Sequence, residues 1–154
     1  MRSRSILALV VLAALAVPVL AGAQVGAEVY NKCLACHKRD GRGTPGVFPP
    51  LAGTAAEIAK APGGRAVLIE VVLYGMQGEF HVDGKTYKGT MREFSQLTDG
   101  EIAAVLNHVL GSWGNDKLLP KDFSPIEASE VKALRGKALT GTDVLEKLKK
   151  VGLK

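Results

Sequence analysis

Cys33-Leu34-Ala35-Cys36-His37 holds both cysteines of the 154-residue chain, three positions apart, with a histidine directly after the second. Two thiols at that spacing on the end of a helix can add across the two vinyl groups of one haem, and the adjacent imidazole is then delivered to the iron. C-x-x-C-H is therefore the attachment motif for c-type haem. Other uses of the pair account less well for the histidine. A thioredoxin-like redox pair requires strands alternating with helices around it, and no such alternation can be drawn here. A zinc half-site needs two further ligands, and outside the motif the chain offers only His81 and His108, isolated from each other. A plain structural disulfide stays open in an oxidising compartment.

The N-terminus agrees with haem attachment outside the cytoplasm. Arg2 and Arg4, the apolar run from Ile6 to Leu20 and the A-x-A site Ala21-Gly22-Ala23 read as a secretory signal over residues 1–23, cleaved before Gln24. Pro18 interrupts the run, which is short for a membrane span. The expected product is a soluble, exported or periplasmic protein with no stable membrane insertion, of a size that suits one domain with one core. Loss of two arginines and no acid lowers the net charge from +5 to +3. So modest a balance argues against nucleic acid as a partner and fits docking on an acidic or nearly neutral protein surface.

Along the mature chain the pattern is helical. Val25 to Ala35 reads as a helix running into the motif, with Val29 and Tyr30 on its packing face. A glycine-rich loop follows from Lys38 to Gly46. Thr54 to Ala61 reads as a short helix capped by Thr54 and stopped by Pro62-Gly63-Gly64. The apolar run Arg65 to Tyr74 is assigned as a helix between Gly64 and Gly75, although its β-branched content would also suit a buried strand. Phe80 and Val82 alternate with polar residues before Asp83-Gly84, a type I′ turn signal, and Lys85 to Tyr87 return as the second arm of a hairpin. Thr98 and Glu101 form a capping box ahead of the amphipathic helix Asp99 to Ser112, with Gly114 as its stop. Two short helical patterns close the chain, one marked by Val131 and Leu134, the other by Val144, Leu145, Leu148 and Val151 after Thr140. The expected class is all-α with one small hairpin. Residues 24–114 form the core, and 115–154 a helical extension of the same domain packed on it.

With His37 on one side of the iron, the other side takes a ligand or stays open. A thioether favours ferrous haem and raises the reduction potential, so methionine is the first candidate for an electron carrier. After the signal only Met76 and Met91 remain. Met91 lies in Tyr87-Lys88-Gly89-Thr90-Met91, read as a loop from which it can reach inward, whereas Met76 ends an apolar segment and reads as packing. Mid-helix His108 and hairpin His81 read as surface residues. An open or histidine-ligated sixth position is the remaining alternative. An axial histidine normally donates its other ring N–H to a backbone carbonyl, and Pro49, in the stiff segment Phe48-Pro49-Pro50-Leu51, is the candidate acceptor; a simple proline-rich turn is the other reading of that segment.

These residues resemble class I cytochrome c from Gly26 to Trp113: a helix into the motif, Pro49-Pro50-Leu51, Tyr87-x-Gly89-x-Met91 and a final core helix. Gly46 to Gly53, Tyr74 to Gly78, Ile102 to His108 and Val151 to Lys154 are similar to a soluble thermophile-type branch of the family that has the same helical C-terminal extension. Arg92 stands where many class I sequences follow the ligand methionine with proline, and the Val29-Tyr30 pair sits one residue nearer the motif than is common. The resemblance implies one haem c, covalent through Cys33 and Cys36, with iron ligated by His37 and Met91 and the Pro49 carbonyl orienting His37. It also implies a monomeric one-electron shuttle, not an enzyme. Its donor would be a quinol:cytochrome c reductase and its acceptor a terminal haem–copper oxidase, met at the haem edge beside the cysteines and loosely ringed by Lys38, Arg42 and Lys88. Two rival readings are a small peroxidase-like enzyme or sensor with an open sixth site, and a subunit of a larger dehydrogenase.

Overall fold

The computed structural model describes residues 22–152; the expected signal, apart from its last two residues, lies outside them. Residues 22–30 are helical and form α1. The helix expected to run unbroken into the motif instead tightens after Tyr30. The N–H of Lys32 donates to the carbonyl of Val29 (3.0 Å) and that of Cys33 to Tyr30 (2.8 Å), three residues back instead of four. Cys33 then becomes the N-cap of a separate one-turn helix, α2, Leu34–His37.

A loop leads to α3, Thr54–Lys60, whose N-cap is Gly53; Thr54, read from sequence as the cap, is its first helical residue. Gly64, read as part of the stop, instead opens α4, Gly64–Tyr74. Strands β1 (Met76–Val82) and β2 (Lys85–Met91) pair antiparallel in the register Phe80↔Tyr87 and Met76↔Met91. Asp83 and Gly84 between them have φ of 49° and 70°, the two positive values of a type I′ turn. The hairpin is longer at both ends than the alternation suggested, so Met91 is the last residue of a strand and not a loop residue. Helix α5, Asp99–Leu110, carries the expected capping box, with Thr98 N–H donating to Glu101 (2.8 Å) and Glu101 N–H to Thr98 Oγ1 (3.2 Å). Its C-cap is Gly111; Gly114 instead caps a 3₁₀ turn, Asn115–Leu118. Then come α6, Ala128–Leu134, and α7, Gly141–Lys150, the latter capped by Thr140 and Asp143.

Helices α1 and α5 meet at Gly26. A Cβ there would stand 2.3 Å from the carbonyl oxygen of Ala104 and 2.9 Å from Cβ of His108, so only glycine permits this approach. The crossing buries Val29 and Tyr30, and His108 is no free surface residue: its ring lies 5.3 Å from that of Tyr30 and 6.3 Å from Trp113.

Ile126, Val131, Leu145 and Leu148 of the C-terminal segment are at most 3% exposed and share one apolar cluster with Ile69, Leu73 and Ile102. Helix α6 lies on α4 and α5, and α7 on α4 and β1. Polar ties close the seam. Arg65 on α4 binds both carboxylate oxygens of Glu130 at 2.6 Å and the carbonyls of Ser124 and Pro125, and it holds the Glu130 carboxyl below its ordinary range. Arg135 reaches Asp99 and the carbonyls of Ser95 and Leu97 at 2.7 Å. Tyr74 donates to the carbonyl of Leu134 (2.6 Å) and accepts from Lys137 N–H (2.9 Å). The described residues are mostly helical with one two-stranded hairpin, and among them no helix is long and apolar enough to cross a membrane.

Candidate haem site

An apolar cleft of about 670 Å³, its open mouth included, runs between α1, α4 and α5. Val71 and Val72 of α4 and Val105, Leu106 and Val109 of α5 form much of its wall, and Lys32 is its single charged lining residue. Cys33, His37 and Met91 all open onto it. Cys33 and His37, at the two ends of α2, and Met91, at the end of β2, thus converge on one slot, whereas Met76 is packed into the core at 8% exposure and does not line it.

His37, the last residue of α2, is 7% exposed, and its Nδ1 lies 3.0 Å from the carbonyl oxygen of Pro49. Burial pushes the imidazole below its ordinary pKa, partly offset by that hydrogen bond, which favours the neutral ring. With a carbonyl as the only partner at Nδ1, that nitrogen must carry the proton and donate. Nε2 keeps its lone pair, as a metal ligand requires. The loop that brings Pro49 here is tied down by Gly43 N–H donating to His37 O (3.1 Å) and Leu51 N–H to Gly41 O (2.6 Å).

Cys33 and Cys36 are both half-buried free thiols. Burial, and then the neighbouring Cys36, push the Cys33 thiol up to about 11; exposed Arg92 and Lys32 act in the opposite direction. Met91 is placed by the end of α4. Gly75, with φ of 71°, turns the chain out of the helix, and a Cβ on it would stand 2.3 Å from the Met91 carbonyl oxygen. Just beyond, Phe94 N–H donates to Val72 O at 2.9 Å. Arg92 is accommodated by lying over the Phe94 ring, 4.7 Å from its centroid. Lys38, Arg42 and Lys88 are exposed, and Arg42 faces Asp40 at 3.9 Å.

The donor set fits haem: an apolar slot, a neutral imidazole with its outer nitrogen engaged, a thioether, and two thiols beside the imidazole. Sequence reasoning missed two neighbours of this region. Trp113 seals the 38–43 loop, its Nε1–H donating to Arg39 O at 3.1 Å. Asn115, fully buried, binds the loop that carries Pro49. A tryptophan next to Gly114 offered a signal; nothing local marked the asparagine.

A family model for cytochrome c matches residues 23–113. Cytochrome c-552 of Thermus thermophilus is 54% identical over 129 residues, covering 84% of this chain and 98% of that protein. The cytochrome c subunit of alcohol dehydrogenase (quinone) from Gluconobacter oxydans (strain 621H) is 34% identical over 113 residues, 71% of this chain but 22% of that subunit. The gluconate 2-dehydrogenase cytochrome c subunit of Pantoea cypripedii is 36% identical over 128 residues, 75% of this chain and 27% of that subunit. With a convergent haem slot and likeness along most of its length, the chain belongs to the cytochrome c family and carries haem c.

Proposed function

We propose that the protein is a one-electron carrier of a respiratory chain, its haem bonded to Cys33 and Cys36 and its iron held by His37 and Met91. The observation that carries this reading is the opening of Cys33, His37 and Met91 onto one apolar cleft. Haem c supplies the one-electron couple. Pro49 O orients His37 and increases its basicity. Met91 closes the position an enzyme would need open for its substrate. The valines and leucines of α4 and α5 exclude water and keep the surroundings the same in both oxidation states, so little rearrangement accompanies the electron.

In this reading residues 1–23 direct export to the periplasm and are removed, 24–114 form the haem core, and 115–154 are an extension of the same domain. The donor is a quinol:cytochrome c reductase and the acceptor a terminal haem–copper oxidase. Near-complete coverage of cytochrome c-552, against about a quarter of the dehydrogenase subunits, favours a free carrier over a subunit. Purified mature holoprotein should be reduced by such a reductase and reoxidised by such an oxidase, with negligible peroxide turnover. At a net charge of +3 the bimolecular rate should fall only weakly as salt rises. Rapid peroxide turnover by the intact protein, with no oxidation by any terminal oxidase, would defeat the carrier reading.

Attachment is tested separately. The Cys33→Ala, Cys36→Ala double variant, produced with haem maturation factors, should show no cofactor mass on the denatured chain. Haem still covalently held would remove both cysteines from the site.

A further inference from the structure

Asn115 has no exposed surface, does not line the haem cleft, and uses its whole carboxamide on backbone from two different places. Its Oδ1 accepts from Gly53 N–H at 2.7 Å, while its Nδ2 donates to Leu51 O at 3.2 Å and to Val109 O at 2.8 Å. Val109 belongs to α5, the rigid wall of the cleft. Leu51 to Gly53 is the end of the loop whose Pro49 carbonyl receives His37 Nδ1–H. Leu51 is held at both its backbone groups, its N–H by Gly41 O at 2.6 Å and its carbonyl by Asn115. Three hydrogen bonds from one buried side chain therefore fix, against α5, a segment two residues from the acceptor that sets the orientation of His37.

We infer that Asn115 is a positioning residue for His37: it acts through Leu51 and Gly53 to hold the Pro49 carbonyl where the imidazole can donate to it. The inference rests on the reading of His37 as an axial ligand. Its physical content is that the strength of an outer hydrogen bond sets how much electron density the imidazole gives to iron. If the loop relaxes, the bond to Pro49 lengthens and the ring becomes a weaker donor. Ferric iron then loses more than ferrous, so the reduction potential rises.

The test uses the holoprotein and compares Asn115→Ala with Val131→Ala, a truncation of a fully buried α6 side chain that does not line the cleft. Both variants lose stability. Only Asn115→Ala should raise the midpoint potential and speed exchange of the His37 Nδ1 proton. Asn115→Ser is uncharged, and its hydroxyl can keep one of the three hydrogen bonds. It should shift both readouts in the same direction by less, and it keeps the test decisive if the alanine variant does not fold. Equal shifts in the Val131 and Asn115 variants, or unchanged proton exchange in the Asn115 variants that fold, would overturn the inference. A wild-type spectrum in which no His37 resonance is displaced by the iron would remove the axial reading beneath it, a distinguishable failure.

Discussion

Met91→Ala should abolish the far-red absorption of the ferric protein, lower its reduction potential and let carbon monoxide or cyanide bind readily, while Met76→Ala should do none of these. The two methionines are register partners at the open end of the hairpin, next to the exit of α4, so strand position alone does not separate them. Their surroundings do. Met91 is half-buried and opens onto the haem cleft, whereas Met76 is 8% exposed inside the apolar cluster. Removal of a thioether ligand leaves a coordination position to water or small ligands and withdraws the soft donor that favours ferrous iron. Truncating Met76 removes packing and should cost about 2–5 kcal/mol of stability instead, read as a lower melting temperature with an unchanged spectrum. A far-red band surviving in the Met91 variant would move the sixth ligand elsewhere.

What the chain disclosed in advance depended on how local each signal was. The haem motif, the capping box at Thr98 and Glu101 and the turn at Asp83-Gly84 are complete within a few residues, and the structure contains the capping box and the turn as read. The outer half of the hairpin was not legible. Lys88-Gly89-Thr90-Met91 has no alternating pattern, and it is strand only because Met76 to Glu79 lie opposite it. Gly114 has the composition of a helix stop, yet the cap falls at Gly111, leaving Ser112 and Trp113 to turn the chain over the 38–43 loop. Among the proposed site residues, Cys33, Cys36 and His37 were readable from one pentapeptide, and Met91 by elimination among few candidates. Asn115 was unreadable, because its partners are Leu51, Gly53 and Val109, brought to it only by the finished fold. The same holds for Glu70, an acid in the apolar helix α4, whose place makes sense only once α7 has been laid over it.

Replacing Lys137 and Lys147 together by methionine should destabilise the protein by about 3–5 kcal/mol, the usual penalty for stripping partners from a buried charge. The Glu70 side chain is 1% exposed, and Lys147 Nζ lies 2.6 Å from each of its carboxylate oxygens, with Lys137 Nζ 3.2 Å from one. The lysine side chains are 43% and 38% exposed, so the desolvation cost falls mainly on the carboxylate. That asymmetry decides which mutation hurts. Without the lysines the acid stays in an apolar seam with no counter-charge. Glu70→Leu in the lysine-free background should recover most of the loss, because an apolar side chain suits the position and buried pairs are often replaceable without net cost. Denaturant melts of the wild type, the lysine double variant and the triple variant separate these terms by their midpoints at constant slope. The ferric spectrum should be the same in all three, since Glu70, Lys137 and Lys147 do not line the haem cleft. A double-variant cost under about 0.5 kcal/mol would place these pairs with ordinary surface ion pairs. The hold of the C-terminal helices on α4 would then rest on Ile126, Val131, Leu145 and Leu148 and on the ties of Arg65 and Tyr74.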